Sequence, residues 1–261
     1  MMITPDLFAE LLTRAIATAV IVVGITITVE RVGPAIGGAL GGLPIVIGPG
    51  FYFLIQEQST TFTISAATSS LIALTASQAF LIGYVAIARR SQAAIVIASL
   101  CWLLAALILA DVPQSPWIGL VLFLTATGTA RFVANRFQRP YTRTHARGGL
   151  TALLARGVAA GLLVAFVTVA AEKLGPVSAG FLMTYPIAMT VIAITVHQRS
   201  GADVVIATLR SIMYGIGSLA AFTFTLAVTL VPFGSVWTFV ASLVAGVAVT
   251  FSLTLRSARL I

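Results

Sequence analysis

One segment of this chain occurs twice, and the spacing between the copies limits its architecture more than any other feature. Glu30 to Pro44 reads ERVGPAIGGALGGLP, and Glu172 to Pro186 reads EKLGPVSAGFLMTYP. A single offset of 142 residues, the step from Glu30 to Glu172, aligns Gly33 with Gly175, Pro34 with Pro176, Gly38 with Gly180 and Pro44 with Pro186. The same offset runs outward without a gap, pairing Arg14 with Arg156, Gln56 with Gln198, and Ala79-Phe80 with Ala221-Phe222. A register kept over that distance marks an internal duplication, and the number of helices per copy then sets the fold.

The copies lie in a chain with 59% hydrophobic and 8% charged residues, too little polar material to cover a water-soluble surface. Apolar runs of roughly 18 to 28 residues, long enough to cross hydrocarbon, fall at Phe8–Val29, Pro34–Ile55, Thr61–Ala88 and Ala93–Ala110. A shorter fifth covers Ile118–Val133, and the rest are Leu150–Ala171, Pro176–Val196, Val204–Val231 and Val236–Leu255. The first run lacks the basic lead and cleavage site of a signal peptide and reads as a mature helix.

The predicted fold is an all-α integral membrane protein of nine transmembrane helices. Residues 1–112 form a first four-helix repeat, 113–149 a linker helix with a basic loop, and 150–261 a second repeat. Because the linker adds one crossing, the second repeat enters from the opposite side and the repeats are inverted. Arg31, Arg89, Arg90, the linker arginines and Arg199 share one face, so the N-terminus is expected outside and the C-terminus in the cytoplasm of a bacterial inner membrane. Charges placed at helix ends in this way argue for a bilayer and against nucleic acid as the partner.

Runs 2 and 7 carry the expected site. Gly33, Gly37 and Gly41, with Gly38 and Gly42, clear helix faces for close approach. Pro44 then removes a backbone donor near mid-membrane, and Pro186 does so in run 7, where Thr184-Tyr185 replace Gly42-Leu43. Interrupted helices at matching positions of two inverted halves point to a transporter binding site, the plain alternative being a pair of proline kinks.

In run 3, Thr61, Ser65, Thr68, Ser69 and Thr75 read as a pathway lining or as helix-to-helix hydrogen bonds. Arg210 occupies the position matching Thr68, with Tyr214 one turn on; it suits an anionic solute, or snorkels to the surface toward Asp203. Arg14 with Glu172 and Arg156 with Glu30 fall on common faces once the repeats are inverted, as gate ion pairs or as headgroup anchors.

Enzyme motifs are absent, and one cysteine and two histidines suggest neither a disulfide nor a metal site. No cofactor is expected.

An Arg-bearing first helix ending in Glu-Arg-Val-Gly-Pro, followed by a Gly-rich helix with Leu-Pro near its middle, resembles the small four-helix bacterial inner-membrane proteins of the GlpM type. The resemblance covers each repeat to about its fourth helix and implies an inner-membrane location, with little about activity. Tyr185 in place of Leu43 departs from the pattern and puts a function shared by the two halves in doubt.

The reading is a secondary transporter or exporter of a small, anion-compatible solute, working by alternating access between runs 2 and 7. Its contacts are Gly41, Gly42, Pro44, Thr68, Thr184, Tyr185, Pro186, Arg210 and Tyr214. The alternative is a non-transporting scaffold or accessory subunit whose glycine faces bind other helices. Self-association into a homo-oligomer is left open.

Overall fold

The computed structural model describes residues 12, 13, 15–17, 19, 20, 44, 47–90, 93–137 and 150–258, apart from some side chains in the last range. They are 91% helical, with no strand among them. Four helical stretches are long and apolar enough to cross a membrane, as an all-α membrane protein requires.

The helices are α1 (Ile47–Glu57), α2 (Thr60–Ile87), α3 (Ala94–Ala110), α4 (Pro116–Asn135), α5 (Leu150–Met183) and α6 (Ile187–Ala258). The last two are not continuous. Gly175 breaks α5, and Gly201 and Gly234 break α6, with φ of 73°, 82° and 71° and ψ near 180°. Only glycine takes that conformation without strain. Each break falls in a gap between successive apolar runs of the sequence. At the first, Pro176 opens the next segment, where its fixed φ suits a helix start and its missing N–H is no loss.

The centre of the molecule is α2. Its apolar window is 72% buried, against 22% for that of α4, and it packs against α3, α4, α5 and α6. A helix with no distinct polar face, its Ser and Thr spread among apolar residues, belongs in such a position. Ser59 caps its start by accepting the Phe62 N–H at 3.2 Å. Beyond its end, Arg89 donates from Nε to Asp203 of α6 at 2.7 Å and from Nη2 to the Phe137 carbonyl at 2.8 Å. One guanidinium therefore ties α2 to the loop after α4 and to the α6 segment that starts at Gly201.

The outer surfaces of α3, α4 and the last part of α6 are lined with exposed side chains such as Leu107, Ile108, Phe132 and Trp237. A water-soluble bundle would bury such a band; a lipid-solvated one has no reason to.

Candidate functional site

Helix α5 ends at Met183 and α6 begins at Ile187, so Thr184, Tyr185 and Pro186 interrupt what would otherwise be one helix. Pro186 has no N–H to offer Leu182. The Tyr185 N–H reaches that carbonyl instead at 3.1 Å, and the Thr184 N–H goes to Phe181 at 3.2 Å. This tightening by one residue takes from the Gly180 carbonyl its ordinary donor, the Thr184 N–H.

Side chains fill the gap. Ser70 Oγ donates to the Gly180 carbonyl at 2.9 Å, and Ser77 Oγ to the Thr184 carbonyl at 3.3 Å. The two serines stand two turns apart on one face of α2. They reach the break because Gly180 lets the backbones close: a Cβ there would collide with the Ala66 carbonyl oxygen and lie 2.9 Å from Ser69 Cβ. A buried carbonyl left without a donor costs about 1–3 kcal/mol, so the serines stabilise the interrupted conformation.

The Thr184 hydroxyl turns back on its own helix, donating to Gly180 and Phe181. Tyr185 leans toward α3, its ring edge-on to Trp102 with centroids 5.0 Å apart and its hydroxyl 3.4 Å from Ser99 Oγ. Trp102 Nε1 is buried without an acceptor among the described residues. A shallow groove of about 290 Å³ lies on α3 along Ile95, Val96, Ser99, Leu100 and Leu103, with almost wholly apolar walls.

Pro44 is buried and lies shortly before α1. Its carbonyl accepts the Gly48 N–H at 2.8 Å, as that of Pro186 accepts the Thr190 N–H at 2.9 Å. The Pro44 ring packs on Gly246, where a Cβ would meet it at 3.3 Å. Further along α1, Gly50 faces Met183, whose sulfur would lie 2.5 Å from an added Cβ. The helix that follows Pro44 thus packs against the helix that precedes Pro186.

No family model, curated protein or solved structure matches the chain. The site has to be read from its own chemistry.

Of the sequence-selected residues, Thr184, Tyr185 and Pro186 form the break, and Thr68 is buried on α2. Arg210 donates from Nη2 to Asn135 Oδ1, and Tyr214 lies under the guanidinium of Arg131, 3.0 Å from its Cζ to the ring centroid. Asp203, toward which the alternative reading of Arg210 pointed, is bonded to Arg89, arriving from the end of α2. Gly41, Gly42, Arg14 and Glu30, and the side chains of Arg156 and Glu172, lie outside the described residues, and with them the gate ion pairs.

Sequence reasoning passed over Ser70, Ser77, Ser99 and Trp102. The seven-residue spacing of the first two puts both hydroxyls on one face, but the other Ser and Thr of the same run compete with that signal.

Proposed function

We propose that the chain is a secondary transporter of a small solute, built from two inverted four-helix repeats and a linker helix in nine crossings, with its site at the helix breaks near Pro44 and Pro186. The observation that carries this reading is the interrupted helix at Thr184–Pro186, whose carbonyls are held by hydroxyls from another helix. Such carbonyls are exchangeable ligands: if α2 slides or tilts, a solute or water can replace the serines without breaking a regular helix.

The duplication is supported by helix boundaries that keep the 142-residue offset. The N-cap Ser59 of α2 corresponds to Gly201, and the Gly48-to-Pro44 hydrogen bond to that of Thr190 with Pro186. Inversion is supported by where those equivalents lie. Ser59 caps one end of α2, while Asp203, two residues from Gly201, is bonded to Arg89 at the other. A helix of 28 residues separates the two ends by about 42 Å.

In this reading the arrangement is the closed state. Thr184 and Tyr185 are the asymmetric contacts that select the solute, and Arg210, turned to Asn135, takes no part in the break. The bacterial inner membrane and the N-out orientation belong to the same proposal and rest on the arginine distribution.

A second reading, a scaffold subunit, is favoured by the close packing at Gly180, where backbones meet with no room for a side chain. Flux across proteoliposomes decides between them. Transport predicts uptake of some member of a panel of small anions, zwitterions and cations, altered when Thr184→Ala or Tyr185→Phe is introduced. No flux with any of them, together with stable co-purification of a partner, would leave the scaffold.

A further inference from the structure

Two arginines inside the membrane-spanning helices have no acidic partner among the described residues. Arg131 is one turn before the end of α4, on the same face as Asn135, and Arg210 lies on the α6 segment that begins at Gly201. The two side chains meet at one α4–α6 contact, Arg131 reaching Tyr214 and Arg210 reaching Asn135, each partner lying one turn from the other arginine. Their partners are neutral: Arg131 stacks on the Tyr214 ring, and Arg210 donates to Asn135. Neither has a carboxylate partner among the described residues, since Asp203 is occupied by Arg89.

Two cations paired only with neutral groups in apolar spans keep uncompensated charge, and a mobile anion is the group that can relieve both. The guanidinium forks are built to grip two oxygens at once, which suits phosphate.

We propose that Arg131 and Arg210, with the Tyr214 hydroxyl beside them, bind the phosphate of an anionic phospholipid in the leaflet next to the basic linker. The surroundings favour a lipid over a free anion. Tyr214 and Asn135 are exposed, so the cluster opens on the outside of the bundle. The neighbouring surface of α4 presents Val121, Leu124 and Phe132, apolar and exposed, along which acyl chains can lie. Arg136 sits over the Phe132 ring at 5.4 Å, and the sequence that follows it also carries Arg139, Arg143 and Arg147, so basic charge is concentrated just after this end of α4. The site stands whether or not the protein transports.

Native mass spectrometry of the detergent-purified protein, with phosphatidylglycerol and phosphatidylcholine of equal chain length in competition, tests it. Wild type and an Arg90→Gln control are expected to retain phosphatidylglycerol preferentially. R131Q/R210Q should lose roughly tenfold in that preference, the scale of a charged bidentate contact. Equal retention of the two lipids by wild type, or undiminished preference in the double variant, overturns the proposal. Displacement of phosphatidylglycerol by excess inorganic phosphate would overturn the lipid assignment in favour of a soluble-anion site. Should the double variant not fold, Arg210→Lys serves: it keeps the charge but not the fork, so partial loss is expected and an unchanged preference counts against the site.

Discussion

The glycines of this chain do two opposite jobs, and single substitutions separate them. At Gly175 an added Cβ meets nothing within 4 Å, yet φ is 73°. The cost of Gly175→Ala is therefore backbone strain alone, about 1–3 kcal/mol, expected as a lowered unfolding temperature in detergent. At Gly180 the backbone is helical and the cost is steric, because the Ala66 carbonyl cannot move without moving α2. Gly180→Ala should be the more damaging of the two. Gly128 is the control: exposed, mid-helix and with nothing within 4 Å, it should gain up to about 1 kcal/mol as alanine. If Gly175→Ala proves as harmless as Gly128→Ala, the chain does not need its positive φ there.

At the scale of elements, the break between α5 and α6 depends on α2. Removing one serine hydroxyl from this site leaves a buried carbonyl short of a donor, at about 1 kcal/mol each. The Thr184 hydroxyl also serves the Gly180 carbonyl, so Ser70→Ala is partly buffered. Ser77→Ala has no such support from a neighbouring hydroxyl. Thermal unfolding should therefore rank Ser77→Ala as the costlier, and the opposite order would mean that the Ser77 contact is incidental.

The location of this element was legible in the sequence, because a proline in an apolar run has few outcomes and its match with Pro44 drew attention to it. The serines that complete it were not. Ser70 and Gly180 are 110 residues apart, and their meeting depends on how α2 is rotated against α5. An apolar helix buried on all sides carries no amphipathic pattern from which that rotation can be read. The partner of Asp203 was not legible either: Arg210 is close to it in sequence and Arg89 is not, but the end of α2 delivers Arg89 to it.

For the whole molecule, the decisive quantity is the sense of one proposed repeat against the other. The 142-residue register was read from paired residues, and the inversion proposed from it rests on one unpaired apolar run between the copies. Positions equated by that offset provide a direct measurement. Ser59 is exposed at one end of α2 and Gly201 is exposed near the other. Cys101 is the only native cysteine, so a Cys101→Ala background carrying either Ser59→Cys or Ala202→Cys reports one position at a time. With a membrane-impermeant maleimide on intact cells, the cysteine at 59 should label and the one at 202 should label only after lysis. Reversed labelling would keep the inversion and turn the protein over in the membrane. Labelling of both from one side would make the repeats parallel, and a site formed by Pro44 and Pro186 approaching from opposite leaflets would then have no geometric basis.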